Sequence, residues 1–135
     1  EGGKDPAETD RIYRESVGAD YFFMSTNGIT ESGELVNIDG AGTRLGRMIH
    51  GPKHVVIIAG VNKISRDIQS GIDRIQNEVC PILAVKTGRN TACANLGRCG
   101  NCFTPDSMCC EIVITRKSRQ NGRMKLILVG EELGY

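Results

Sequence analysis

A chain of 135 residues with a net charge of +1 suits one domain, long enough to bury a real core without disulfide staples. Basic and acidic residues nearly balance, 17 against 16, and aromatics are few, which argues against a nucleic-acid surface. No apolar run approaches the roughly 20 residues of a membrane span and no signal peptide is visible, so the expected compartment is the cytoplasm, where thiols stay reduced.

In chain order, Glu1 to Pro6 reads as a loose polar end. Ala7 to Val17 suits a helix with Ile12, Tyr13 and Val17 on its apolar side. Tyr21 to Ser25 is a short apolar run and reads as a buried strand. Asn27-Gly28 and the stretch Glu31 to Glu34 carry turn signals. Leu35 to Ile38 reads as a strand ending at Asp39, and Thr43 to Ile49 as a short helix stopped by Gly51-Pro52. His54 to Ala59 is apolar throughout, as strands covered on both faces tend to be. Ile64, Ile68, Ile72, Ile75 and Val79 recur at helical spacing, with Ser65 as the expected N-cap and Pro81 as the expected end. Glu111 to Thr115 and Met124 to Val129, joined by a basic turn with Asn121-Gly122, read as a hairpin. Arg116, Lys117, Arg119 and Arg123 are expected to form its solvated tip.

The alternation of strands and helices predicts one α/β domain over residues 1–135. Its expected architecture is an open, mainly parallel sheet with helices on both faces and a C-terminal hairpin. Residues 93–110 interrupt it as a cysteine-rich loop. A loop of that length inside a compact domain is usually functional or metal-clamped.

That loop reads CANLGRCGNCFTPDSMCC and holds five of the six cysteines, spaced C-x5-C-x2-C-x6-C-C. Packing alone seldom clusters cysteine, which behaves in a core as a small hydrophobe. Cys93, Cys99, Cys102 and Cys109 can make a four-thiolate set for zinc or an iron–sulfur cluster, and the spacing does not choose between them. Free or partly oxidised thiols are the plainer reading. Cys110 adjoins Cys109 and points elsewhere if a strand begins there. Cys80 stands apart.

A second constellation lies at strand ends. Gly40-Ala41-Gly42-Thr43-Arg44 sits between a strand and a helix, where backbone N–H groups can bind phosphate or carboxylate and Arg44 adds charge. The third glycine of a dinucleotide fingerprint is missing, so a tight turn explains it equally well. Asn27, Asp39, Asn62 and Lys63 also follow strands. If those strands are parallel, the four share the crevice where open α/β sheets bind ligands, a place for a small anion. Lys63 would bind that anion or act as a nucleophile when desolvated. Glu31 and Glu34, beside Gly33 in a loop, are candidate acids, bases or nucleophiles, although loop glutamates usually only face solvent. His50 and His54 read as structural.

The stretches TNGITESGELVNIDGAGTR, TACANLGRCGNCFTPDSMCC and LILVGEELGY resemble the LUD family, named for lactate utilisation, in its short bacterial branch with a cysteine loop. The resemblance runs from about Ala19 to Tyr135. It implies a fold like that of ribose-phosphate isomerase, glucosamine-phosphate deaminase and the CoA transferases. It also implies a link to the oxidation of lactate to pyruvate, as a subunit or accessory of a redox complex, with redox proteins or a homo-oligomer as partners. Family cysteines match Cys93, Cys99, Cys102 and Cys109, while Cys110 departs from the pattern. The related CoA transferases use a glutamate beside a glycine as nucleophile, an analogy of fold that would fall on Glu31. The alternative implied function is a small-molecule enzyme or sensor taking a phosphorylated or CoA ligand. Family members carry an N-terminal αβ portion ahead of the position of Ala7, so an exposed sheet edge that a partner covers is expected here.

Overall fold

The computed structural model of the chain describes residues 5–135. The expected polar end therefore lies mostly outside the described residues. Helix α1 (Pro6–Val17) begins one residue earlier than the pattern suggested, because Asp5 caps it and Pro6 fits its first turn. Its apolar side is weak, and no residue of α1 is buried. It is held instead through Arg47, whose guanidinium lies 5.2 Å from the Tyr13 ring centre and donates to Ser16 Oγ at 3.1 Å.

The strands form two sheets rather than one. In the first, β1 (Tyr21–Met24), β4 (His54–Gly60) and β7 (Met124–Val129) lie in the order β1-β4-β7, all parallel. In the second, β5 (Ile64–Ser65), β2 (Gly28–Thr30), β3 (Leu35–Asp39) and β6 (Glu111–Thr115) lie in the order β5-β2-β3-β6. Here β2 runs parallel to β5, and β3 runs antiparallel to both β2 and β6. The expected α/β class with open sheets holds.

Period-2 alternation along β3 explains the layering. Leu35 enters a core with Met24, Ile29, Val55, Ile57 and Ala59, closed by Leu45 and Met48 of α2 (Thr43–Ile49). Val36 and Ile38 face the other way, into a core with Ile75, Val79, Cys80, Ala84 and Cys93. The second sheet is thus central, with the first sheet on one face and helices with the cysteine loop on the other. The outer face of the first sheet exposes Tyr21 and Phe23.

The expected C-terminal hairpin does not form. β6 pairs with β3 and β7 with β4, so the two strands belong to different sheets. Pairing with each other would bury little. Split between the sheets, they place Val113 and Met124 against the same core from opposite sides. Arg123 also leaves the expected solvated tip. It is only 7% exposed, and its guanidinium donates to the carbonyls of Pro52 (2.9 Å), Met48 (2.7 Å) and Arg47 (3.1 Å). It satisfies the last turn of α2, where orphan carbonyls and the helix dipole favour a cation.

The isoleucine stripe is helical, with two differences from expectation. Ser65 lies in β5, and the N-cap of α3 (Ile68–Arg74) is Asp67, which accepts from the Ser70 N–H at 2.8 Å and the Ser70 hydroxyl at 2.7 Å. Pro81 does not end the helix. A π segment (Ile75–Val79) follows α3, and α4 (Cys80–Lys86) continues from it. Proline lacks an N–H and clashes with the carbonyl four residues back in an ordinary helix. The wider turn just before it, where the Cys80 N–H donates to the Ile75 carbonyl, makes room. The continuation carries Cys80 and Ala84 to the cysteine loop.

Arg123→Met should destabilise the fold by about 2–4 kcal/mol, since three buried carbonyls lose a charged donor, and urea unfolding measures it. Asp67 is held down to about 2, first by the Ser70 backbone N–H and then by the Ser70 hydroxyl and Arg66. A depressed carboxylate stabilises above its unfolded value and loses that contribution as pH falls through the folded one. The wild-type melting temperature should therefore drop between about pH 4 and about pH 2, and Asp67→Ala should flatten that part of the profile.

Candidate functional site

At the carboxyl end of β1 the chain builds a polar corner. Arg44, on the first turn of α2, points into it. Its Nη1 donates to Asn37 Oδ1 at 2.8 Å and to the Ser25 carbonyl at 3.2 Å. Its Nη2 donates to Asn27 Oδ1 at 2.9 Å and to the Ile38 carbonyl at 3.2 Å. Nε lies 3.7 Å from Asp39 Oδ2. The two asparagines complete the network, as Asn27 Oδ1 accepts from the Ile38 N–H and Asn37 Oδ1 from the Asn27 N–H. Burial lowers the Arg44 pKa and Asp39 opposes that shift. Four of its five N–H donors are spent on the protein, so Arg44 is a bolt between β1, β3 and α2 rather than a free ligand for an anion.

Two further cations stand beside it. Lys63, in the single 3-10 turn Val61–Lys63 after β4, is 6% exposed. Its Nζ has one hydrogen-bond partner, Ser25 Oγ, at 3.3 Å. Burial lowers its pKa most, and Arg74 and Arg44 add to the effect. Arg74, at the end of α3, donates from Nη2 to the Asn27 carbonyl at 2.6 Å, while its buried Nε has no partner. Asn27, Asp39, Arg44 and Lys63 therefore do converge, although β3 is antiparallel to its neighbours.

The other candidates lie elsewhere. Asn62 turns to the C-terminal segment, donating to the Gly134 carbonyl at 3.1 Å and accepting from the Leu133 N–H at 3.1 Å. Glu31 is exposed in the β2–β3 turn, at the end of that hairpin opposite Asn27. Gly40 and Gly42 shape a tight approach rather than a phosphate cradle. Gly42 is left-handed at φ 68°, and Glu111 Oε2 would stand 2.7 Å from a Cβ there. The chain's own carboxylate covers the start of α2.

The cysteine loop packs on the face of the second sheet that Val36 and Ile38 present. Cys93, on α5 (Ala92–Leu96), is buried with its sulfur 3.2 Å from Thr91 Oγ1. Cys109 Sγ lies 3.4 Å from Cys80 Sγ. The Cys80 hydrogen bond lowers Cys109 to about 7 against the opposing effect of burial, and Cys80 is correspondingly raised. Cys99 Sγ accepts from the Asn101 N–H at 3.4 Å, and Cys102 Sγ from Ser107 Oγ at 3.2 Å. Cys110 is exposed and bonds the Ser107 carbonyl. Among the described residues no three His, Cys, Asp or Glu side chains are gathered closely enough to hold one ion. The chemistry of the set, four sulfurs each with a polar neighbour, suits a thiophilic metal.

A cleft of about 580 Å³ joins the two regions. Asn27, Asp39 and Arg44 line it together with Val79 and Cys80 and, from the loop, Met108. Sequence reasoning missed Asn37, Arg74 and Cys80. Asn37 had a signal, as the one amide in an otherwise apolar stretch, whereas nothing along the chain marks Arg74.

The architecture is that of an open-sheet α/β domain with a polar corner and a thiol-bearing loop that both line one cleft. The LUD domain family model matches residues 1–129, and the chain belongs to that family, which is associated with lactate utilisation. No curated protein and no solved structure matches the chain significantly. Among the described residues no helix is long and apolar enough to cross a membrane.

Arg44→Lys should lower the stability by about 2–4 kcal/mol, because a point charge cannot serve the four acceptors that the planar fork holds. Denaturant unfolding checks this, and a change under about 0.5 kcal/mol would show that the network is dispensable.

Proposed function

We propose that this LUD-domain chain serves lactate utilisation as a cytoplasmic subunit or accessory of a redox complex that oxidises lactate to pyruvate. Within it Cys93, Cys99, Cys102 and Cys109 hold a thiolate-ligated metal centre. The observation that carries the reading is the set of polar partners at those four sulfurs: Thr91, the Asn101 N–H, Ser107 and Cys80. Donors of this kind orient ligating sulfurs and tune the metal they hold. The hydrogen bond with Cys80 lowers the Cys109 pKa, which favours the thiolate that a metal requires.

The loop can close on a metal. Gly97 is left-handed at φ 69° and Asn101 at φ 48°, so the chain reverses on either side of Cys99. The Cys99 N–H is tied to Asn77 Oδ1 on the π segment at 3.0 Å, which holds the loop against the helix. An iron–sulfur centre bound there would carry electrons, and a zinc ion would pin the loop and contribute to folding. Redox proteins or further copies of the chain are the partners this reading requires.

Protein purified without oxygen should contain iron with labile sulfide and a broad visible band, or about one zinc per chain and no colour. Cys99→Ser and Cys102→Ser should each lose most of the metal, while Cys110→Ser retains it. Wild-type protein without either metal, or full retention in both loop variants, would overturn the assignment.

A further inference from the structure

We propose that Lys63 and Arg74, with the Ser25 hydroxyl, form a binding site for a small oxyanion, a carboxylate or a phosphoryl group, at the carboxyl end of β1. The argument starts from charge. Lys63 is 6% exposed, and among the described residues no carboxylate forms an ion pair with it or with Arg74. Asp39, which lies beside them, is engaged with Arg44. Three cations thus gather in the corner, where the one ion pair among the described residues is Arg44 with Asp39, and Lys63 and Arg74 repel each other. A buried charge is normally paired, and an unpaired one is costly. A bound oxyanion resolves that imbalance.

The donors suit such a ligand. An ammonium has three N–H groups, and Lys63 uses one, on Ser25 Oγ at 3.3 Å. Arg74 is oriented by the Asn27 carbonyl through Nη2, and its Nε is buried and unused. Ser25 is exposed, so a ligand arrives from that side; its hydroxyl accepts from Lys63 and makes a long 3.4 Å donation to the Thr26 carbonyl, which a closer anion can take over. The C-terminal segment roofs the ammonium, since a Cβ on Gly134 would stand 3.6 Å from Nζ. Arg44 contributes field but no contact, its donors being committed. Asn27, which holds both arginines, also lines the large cleft, so the body of a larger ligand has room beside the corner. The site does not involve the cysteine loop, and it stands or falls separately from the metal centre.

The experiment is a thermal-shift and calorimetric titration of the full chain with inorganic phosphate, lactate and pyruvate, against sodium chloride at matched ionic strength. A saturable rise in melting temperature with at least one oxyanion, absent with chloride, is expected. Phosphate alone would mark a phosphoryl ligand, and lactate or pyruvate alone a carboxylate. Lys63→Met should weaken that response at least tenfold, as should Arg74→Gln, and Lys117→Gln, which removes a cation from the exposed connection between β6 and β7, should leave it unchanged. If Lys63→Met does not fold, Arg74→Gln decides alone. The proposal is overturned by no saturable response in wild type, by an equal rise with chloride, or by wild-type affinity in Arg74→Gln.

Discussion

The guanidinium of Arg44 ties together parts of the chain that share no ladder. β1 belongs to one sheet and β3 to the other, and the segment between β1 and β2 has to turn sharply from one to the other. Arg44 holds that crossing by bonding the Ser25 carbonyl, both asparagine side chains and the Ile38 carbonyl at once. Only a planar fork with several donors can do this in so small a space. Because the crossing is fixed, Ser25 and Asn27 are fixed, and Lys63 and Arg74 meet against them. The cleft lining that Asn27, Asp39 and Arg44 provide depends on the same bolt.

Arg123 is the counterpart at the other end of α2. It comes from the strand start of β7 and bonds three carbonyls at the helix end and the following turn. Two arginines, Arg123 buried and Arg44 partly so, thus secure the two ends of one short helix. Seven residues would be marginal as a helix alone, and tertiary contacts supply the stability. Leu45 and Met48 add the apolar part by closing the core between the sheets.

On the opposite face, the helix that runs past Pro81 decides where the thiols are. Had it stopped at the proline, Cys80 would have ended a helix at the surface. The π turn lets it continue, and Cys80 meets Cys109 beneath the loop. The loop and the polar corner therefore both line a single cleft, the loop bringing sulfur and the corner positive charge.

The sequence by itself determined the elements with strong periodicity: His54 to Ala59 as a strand, the isoleucine stripe as a helix, the short helix after Gly42, and the α/β class that follows from their alternation. It also marked the thiol loop, since cysteine spacing is a local property. Most of the corner was legible too, because residues that follow strands tend to gather at sheet ends. Only the tertiary structure decided how strands were shared between two sheets. Hairpin signals near Gly122 are local, whereas the burial of Val113 and Met124 against one core is not, and the non-local term prevailed. It also decided the roles of the cations. Arg44, Arg74 and Arg123 look alike along the chain, and what separates a bolt from a ligand donor is the set of acceptors that folding brings within 3 Å or so of each guanidinium.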